Sequence, residues 1–235
     1  KCLEDSVIMV LRGVLKVKCE VTNDSHESSI LEVRSAIYSP QGKLLQTIKQ
    51  KQKLKSGETY IFENTSGAIE SPDLWSPETP SLYLVKTTLV DPKSGKLLDE
   101  KNHKVGFRWF TFDGSKGFFL NGKSYKLRGL NRHQDQAPAG VALDDEAHRR
   151  DIFLMKELGC NFIRISHFPQ DDAILEMCDE LGLLAWEEIP IINIVPNTPG
   201  YDDNCEYNLR EMIRQHYNHS SVITWGYMNE ILLTA

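Results

Sequence analysis

The residue with the clearest catalytic chemistry in this sequence is Glu230, which directly follows Asn229. The pair comes after Val222 to Tyr227, the most apolar predicted strand of the chain. Apolar surroundings desolvate the charged form of a carboxyl, and this raises its pKa toward the range of a general acid. Glu230 is therefore a candidate general acid, with a surface carboxylate of the next loop as the alternative. Asn229 is a candidate to hold a substrate hydroxyl, and a turn cap is its alternative.

Two histidines and two further glutamates could add to such a site. His133 and His167 could each donate a hydrogen bond to a ligand oxygen, although a lone histidine is more often structural. Glu187 and Glu188 are adjacent on a predicted strand, so only one of them can point to the interior of a barrel. We therefore do not expect these two glutamates alone to form a catalytic carboxylate pair.

The candidates share one position, the carboxyl end of a predicted strand. Four strands end in polar residues: Asn131, Arg132, His133, Gln134 and Asp135; Ser166 and His167; Glu187 and Glu188; Asn229 and Glu230. In a parallel barrel these strand ends meet at one rim, where the working residues of such enzymes lie. The spacing therefore predicts a single site, although scattered loop residues would also be polar.

Alternating strands and helices must position that rim. The predicted strands are Tyr125 to Leu130, Asn161 to Ser166, Leu183 to Ile189 and Val222 to Tyr227. The predicted helices are Asp144 to Leu158, with Asp144 as N-cap and Gly159 just past the end, Asp171 to Leu181, stopped by Gly182, and Glu206 to Asn218. A helix in each gap forces parallel pairing, and no G-x-G-x-x-G follows the first strand, which argues against a dinucleotide-binding sheet.

The length of this part predicts about half of a (β/α)₈ barrel. Such a barrel needs about 250 residues, and only about 115 follow residue 120. We therefore expect either part of a longer barrel protein or an open sheet.

The first hundred residues predict a different fold. The predicted strands there are Val7 to Val21, Ile30 to Tyr38, Lys43 to Leu54, Thr59 to Phe62, Leu82 to Val90 and Lys101 to Phe107. Turn-forming segments separate them and no helical stripe interrupts them, which favours an antiparallel sandwich. The expected domains are a β-sandwich over residues 1–108 and the barrel half over residues 109–235.

Composition excludes several classes of function. The net charge of −6 repels phosphate backbones, so nucleic acid is not expected as a partner. No apolar run is long enough to cross a bilayer. The five cysteines form no C-x-x-C pair, so neither a zinc site nor a dense disulfide framework is expected.

A series of motifs resembles glycoside hydrolase family 2, which includes β-galactosidases, β-glucuronidases and β-mannosidases. The matching segments are Leu74 to Tyr83, Val105 to Arg108, Gly117 to Lys123, Leu127 to His133, Asp151 to Lys156, Asn161 to Pro169, Cys178 to Leu183, Asn218 to Trp225, and Asn229-Glu230. They occur in the family's order, and their order makes the resemblance specific.

The resemblance implies an immunoglobulin-like sandwich followed by the first half of a catalytic TIM barrel. It implies that Glu230 is the general acid/base and that Asn229 binds the sugar's 2-hydroxyl. Histidines at the places of His133 and His167 line the substrate pocket, and the arginine matching Arg164 supports the nucleophile. The implied reaction is retaining hydrolysis, in which a second carboxylate lies about 5 to 5.5 Å from the acid. No residue of this chain can be assigned as that nucleophile, so we expect the chain alone to be inactive.

Two departures from the family pattern bear on a metal and on the charge of the site. Metal-dependent β-galactosidases carry a Glu-x-His magnesium motif where this sequence has Ile192-Asn193-Ile194, so neither a metal nor another cofactor is expected. Gln134 stands where many members have glutamate, which weakens an electrostatic role at that position.

The leading hypothesis is thus a retaining exo-β-glycosidase acting on a glycoside or oligosaccharide, and most similar to a β-galactosidase. The alternatives are a β-glucuronidase or β-mannosidase of the same family, and a fragment that binds carbohydrate or serves as a scaffold without cleaving it. The sequence leaves open whether the chain forms a homo-oligomer. Periplasmic or secreted placement suits glycan degradation better than the cytoplasm, although no signal segment is visible.

Overall fold

A computed structural model describes the backbone of residues 2–11 and the whole of residues 13–231. Arg12, which falls within the first predicted strand run, and the outermost positions of both predicted domains lie outside the described residues. The chain divides into two compact units. One contains Lys1–Leu74 and Ser81–Arg108, and the other contains Trp75–Pro80 and Trp109–Ala235. The short segment Trp75–Pro80 therefore groups with the second unit although it interrupts the first in the chain.

The first unit is an antiparallel β-sandwich. Its strands are β1 (Cys2–Leu11), β2 (Val14–Thr22), β3 (Ser29–Tyr38), β4 (Leu44–Leu54), β5 (Thr59–Thr65), β6 (Tyr83–Val90) and β7 (Leu97–Val105). They form two sheets, with strand orders β1-β2-β5 and β4-β3-β6-β7. The first predicted run is thus a hairpin of two strands, because Gly13 takes a positive φ of 85° between them.

Alternation along the strands builds the core of the sandwich. Strand β2 buries every second residue, and these residues pack with inward-facing residues of the second sheet in two apolar clusters. One cluster includes Val21, Leu31 and Phe62, and the other includes Leu15 and Val85. Both sheets contribute to both clusters, which is the packing expected of a sandwich.

The second unit contains parallel β/α units. A small antiparallel sheet, which the sequence did not predict, comprises β8 (Phe110–Asp113), β9 (Gly117–Leu120) and β10 (Lys123–Ser124). The parallel sheet, with order β11-β12-β13-β14, comprises β11 (Gly129–Arg132), β12 (Phe162–Ile165), β13 (Leu184–Glu188) and β14 (Val222–Gly226). The helices are α1 (Asp145–Glu157), α2 (Asp172–Leu181) and α3 (Tyr201–His216). The predicted fold class, a sandwich followed by a partial TIM barrel, is confirmed.

The ends of two helices follow directly from local sequence. The side chain of Asp144 accepts a hydrogen bond from Ala147 N and caps α1, and Asp171 caps α2 in the same way through Ala173 N. Gly182 ends α2 in the left-handed conformation with a φ of 76°. These are the boundaries that the capping residues predict.

In the second unit, the predicted starts of one strand and one helix are wrong. The first barrel strand begins at Gly129 rather than Tyr125, because the Asn161 side chain bonds Lys126 O and Arg128 N and so engages the backbone before the strand. Helix α3 begins at Tyr201, five residues before the predicted start, after Gly200 in the left-handed conformation.

The two faces of the parallel sheet have different surroundings. Ile163, Ile165 and Ala185 pack with Ile152 of α1 and Ile174 of α2 in one apolar cluster. The opposite face, called here the inner face, carries the polar side chains described below. Within residues 13–231, none of the helices has the length and apolar character needed to span a membrane.

Candidate active site

Four predicted site residues meet on the inner face or at its rim. His133 follows β11, His167 follows β12, and Asn229 follows β14. Arg164 lies on β12, where it pairs with Asn131 on one side and with Trp186 on the other. The parallel register therefore brings residues that are up to 96 positions apart in sequence, His133 to Asn229, to one end of one sheet.

Arg164 and Glu188 form the best-connected pair of the site. Arg164 Nη2 lies 2.8 Å from Oε1 and 2.9 Å from Oε2 of Glu188, and Arg164 Nε donates to Oε2 at 3.1 Å. Glu188 is fully buried, whereas the Arg164 side chain is 17% exposed. A buried carboxylate needs such a charged, multiply bonded partner. The pair fixes the guanidinium in one orientation.

The same guanidinium orients Asn229. Arg164 Nη2 donates to Asn229 Oδ1 at 2.7 Å. Because a guanidinium only donates, the amide oxygen must face Arg164 and the amide NH₂ must face the other way. Asn229 is nearly buried, and a parallel bridge to Ile192 holds its backbone. The arrangement presents a fixed pair of N–H donors at the rim.

His167 is bonded to the same carboxylate. Its Nδ1 lies 2.7 Å from Glu188 Oε1 and 3.4 Å from Arg164 Nη2. The shorter contact, to an acceptor, places a proton on Nδ1, so Nε2 is the nitrogen left to meet a ligand. The exposed ring of His133 packs edge-on against His167, with centroids 5.1 Å apart. The structure thus brings His133, His167, Arg164 and Asn229 together.

Glu230 lies next to Asn229, but its surroundings differ from those expected. Its side chain is exposed, and its backbone has a positive φ of 47°. Tyr227 is 57% exposed and Trp225 is only partly buried. The expectation of an apolar environment around this carboxyl is therefore wrong for the described residues, because β14 ends at Gly226, four residues before Glu230.

Glu187, which precedes Glu188 on β13, belongs to the face of the sheet opposite the inner face. Its Oε2 lies 2.7 Å from His216 Nδ1, and His216 Nε2 lies 3.3 Å from Asp172 Oδ1. Burial opposes protonation of His216, but the hydrogen bond and charge of Glu187, with the charge of Asp172, outweigh it and raise the pKa of the imidazole. The expected division of Glu187 and Glu188 between two faces is what the structure shows.

Arg132, which the sequence placed among the rim residues, also faces the helices. Its Nη2 lies 2.7 Å from Asp151 Oδ2 and 3.0 Å from His148 Nδ1, and its Nη1 donates to Gln170 Oε1. Arg132 is buried, with 5% exposure, and its guanidinium is bonded on the helix side of the sheet. The same alternation that separates the two glutamates explains this position, because Asn131 and His133 flank Arg132 and face the other way.

Other candidates from the list contribute less. Ser166 is fully buried, and its hydroxyl donates to Arg164 O. Asn131 and Asp135 are exposed and Gln134 is partly buried, and none of the three is bonded to the Arg164–Glu188 pair. Sequence reasoning missed Trp186, whose ring lies under the Arg164 guanidinium at 4.5 Å from its centroid. Its position two residues before Glu188, on the same face of β13, is the signal that identifies it.

Over residues 13–231, no group of three or more His, Cys, Asp or Glu side chains is arranged to hold a metal ion. The structure describes the side chains of Cys19, Cys160, Cys178 and Cys205, and none of these four is in a disulfide.

Two models of one protein family match this chain. A family model described as "Glycosyl hydrolases family 2, TIM barrel domain" matches residues 113–234, and a second, "Glycosyl hydrolases family 2", matches residues 9–108. The crystal structure of Bacteroides uniformis β-glucuronidase is 64% identical with a TM-score of 0.94, covering 97% of this chain and 28% of that one.

Two further proteins are similar to this chain. Bacteroides uniformis β-glucuronidase 2, covalently bound to cyclophellitol-6-carboxylate aziridine, is 63% identical with a TM-score of 0.94, covering 98% of this chain and 28% of that one. A β-galactosidase of Thermoanaerobacterium thermosulfurigenes is 44% identical over 154 residues, covering 65% of this chain and 21% of that protein. The chain thus spans less than a third of the length of each of these relatives.

Proposed function

Since the chain belongs to family 2 of the glycosyl hydrolases, we propose that it supplies the acid/base half of a retaining exo-β-glycosidase that removes terminal β-glucuronic acid. The observation that carries the proposal is the 64% identity to a β-glucuronidase over 97% of the chain. The β-galactosidase similarity is lower and covers less of the chain. We therefore propose a β-glucuronide as the substrate, in place of the β-galactoside that the sequence alone favoured.

In the proposed reaction, Glu230 protonates the leaving glycosidic oxygen while a carboxylate from outside these 235 residues attacks the anomeric carbon. Glu230 then takes a proton from the water that releases the sugar. Its exposed position beside Asn229 is compatible with both steps, since the first needs access to the aglycone and the second needs access to water.

Asn229 would bind the sugar's 2-hydroxyl. Its oxygen is already bonded to Arg164, so the amide NH₂ is the group that meets the sugar. A hydrogen bond at this hydroxyl strengthens as the transition state forms. Arg164 and Glu188 would hold Asn229 in place, and His167 and His133 would line the pocket next to it.

The test is hydrolysis of a panel of 4-nitrophenyl β-glycosides, namely the glucuronide, galactoside and mannoside, by the natural protein that carries this sequence. We expect the glucuronide to be cleaved with the highest kcat/KM. Glu230→Gln should lower kcat by about 10²- to 10⁴-fold, the usual contribution of general acid–base catalysis. Glu157→Gln, which alters an exposed glutamate of α1, is the matched control and should leave the rate unchanged.

The leaving group separates the acid role from a general loss of activity. An alkyl glucuronide needs protonation of its leaving oxygen more than a 4-nitrophenyl glucuronide does, so Glu230→Gln should affect the alkyl substrate more. A faster galactoside than glucuronide would replace the proposed sugar. If no glycoside is cleaved, the proposed function is wrong, and the alternative of a non-catalytic carbohydrate-binding or scaffold protein takes its place.

A further inference from the structure

The Arg164 guanidinium has an aromatic support on the inner face. Its Cζ lies 4.5 Å from the centroid of the Trp186 ring, within the range of a cation–π interaction. The two residues are paired across β12 and β13, so their contact is set by the strand register. Arg164 therefore has its ion-pair partner Glu188 and its aromatic support Trp186 on the same strand, two residues apart.

The approach of Trp186 depends on the absence of a side chain at position 226. Gly226 pairs with Glu188 across β13 and β14. A Cβ added at Gly226 would lie 2.4 Å from Trp186 Nε1, 2.6 Å from Glu188 Cβ and 3.1 Å from Glu188 Oε2. The first two distances are clashes, and the third is a tight contact. Gly226 has no positive φ, so space rather than backbone conformation requires glycine here.

The indole nitrogen of Trp186 makes no hydrogen bond with the described residues. This atom, Nε1, is buried. Leaving a buried donor unsatisfied is unfavourable. Within the described residues, the contact that Trp186 makes with the site is therefore that of its ring face with Arg164.

We propose that Trp186 and Gly226 form a positioning pair. The indole of Trp186 supports Arg164, and the absence of a side chain at Gly226 leaves the space that the indole occupies. Through Arg164 the pair would fix the Asn229 amide, which faces the sugar. The link to Asn229 rests on the proposed function, and the packing of the pair around Arg164 stands without it.

Chemical labelling tests the packing independently of activity. Phenylglyoxal modifies accessible arginines, and peptide mass spectrometry of the 235-residue chain measures the rate at each one. We expect Trp186→Leu to raise the rate at Arg164 by about tenfold, a factor between those for an exposed and a fully desolvated cation–π contact, because the Arg164 side chain is 17% exposed. Trp186→Phe keeps an aromatic face and should remain near the wild-type rate.

Gly226→Ala should act like Trp186→Leu because its methyl group displaces the indole. Gly114→Ala is the matched control, since that glycine also lacks a positive φ and has no atom within 4 Å of an added Cβ. Trp109→Leu controls for loss of a tryptophan, since Trp109 is 47% exposed. Neither control should alter labelling at Arg164.

Arg132 distinguishes a local effect from general loosening. It is 5% exposed and bound to Asp151 on the opposite face of the same sheet. A rise confined to Arg164 supports the proposal. An equal rise at Arg132, or no rise at Arg164, overturns it.

Kinetics in the natural protein test the link to Asn229. If Trp186 acts through Arg164 on Asn229, Trp186→Leu should lower kcat/KM for the glucuronide by about tenfold alone but by much less in an Asn229→Ala background. Rescue by Trp186→Phe is expected. Additive losses overturn the positioning role. If wild-type protein cleaves no glycoside, the proposed function fails, and labelling still decides whether the pair holds Arg164.

Discussion

Glu187 and Glu188 are consecutive in one strand, yet their carboxylates serve opposite faces of the sheet. Glu187 bonds His216 on the helix side, and Glu188 bonds Arg164 and His167 on the inner face. Both side chains are buried, with exposures of 1% and 0%. Two chemically identical neighbours therefore have different expected roles, one in stability and one in the site.

Substitution of each glutamate by glutamine should separate these roles. Glu188→Gln removes the charge that holds Arg164, and we expect at least about a tenfold loss of kcat/KM on a β-glucuronide. Glu187→Gln should lower the free energy of unfolding through His216 and leave kcat/KM within about twofold of wild type. The measurements are steady-state kinetics and urea unfolding of both variants. An equal loss of kcat/KM in the two variants would contradict the division.

His216 should make stability depend on pH. Its folded-state pKa lies above the ordinary value of 6.5, so the imidazolium form stabilises the fold. That contribution is complete below pH 6.5 and is lost as the pH rises through the folded-state pKa. Urea unfolding between pH 6 and pH 9, at steps of about one unit, should show a declining difference between wild type and His216→Gln. A difference that grows with pH would show that the imidazole is stabilising in its neutral form.

Arg132 should be among the residues most sensitive to substitution. Arg132→Met leaves Asp151 and Gln170 without the guanidinium. Breaking a fully buried pair costs about 3 to 5 kcal/mol of unfolding free energy, and we expect about 2 to 3 kcal/mol here because the Asp151 side chain is 28% exposed and keeps its bonds to Gln136. Arg210→Met is the control, because that side chain is 75% exposed and is bonded to Glu206 of its own helix. The control should change the free energy by less than about 0.5 kcal/mol. A small effect at Arg132 would mean that the network rearranges around methionine.

Two glycines that follow helices should respond differently to alanine. Gly159 and Gly182 have φ values of 82° and 76°, so alanine is strained at both. An added Cβ at Gly182 lies 2.4 Å from Pro77 O, whereas none of the atoms near Gly159 comes within 4 Å. We expect Gly182→Ala to cost at least about 1 kcal/mol more than Gly159→Ala in urea unfolding. Equal costs would show that the Pro77 segment yields.

The family resemblance and the fold class were predictable because they rest on long patterns and on motif order, and both are confirmed. The helix ends at Asp144 and Gly182 were predictable because a single side chain or a single positive φ determines each. The start of β11 was not, since it depends on Asn161, a residue more than thirty positions away. Local sequence carries no sign of such a long-range hydrogen bond.

The candidate site, like the fold, was predictable from the sequence only in part. Strand alternation, applied to Glu187 and Glu188, predicts their opposite faces, and it would have placed Arg132 on the helix side had it been applied there. The exposure of Glu230 depends on where β14 ends, which apolar content does not reveal. Strand alternation also places Trp186 on the same face as Glu188, but its role was not predictable, because it depends on the absence of a side chain at Gly226.

The segment Trp75–Pro80 lies between β5 and β6 in the chain but groups with the second unit. There Trp75 is fully buried and donates to Asp179 O, and Lys156 donates to Pro77 O. A gene recombination that exchanged everything before residue 109 would therefore replace part of the second unit's interior as well. Chimeras made at that junction would retain good packing only if the parents match at Trp75 and Pro77. A segment that keeps these contacts when it is exchanged must therefore begin at Trp75 and include the whole second unit. That segment is longer than either unit.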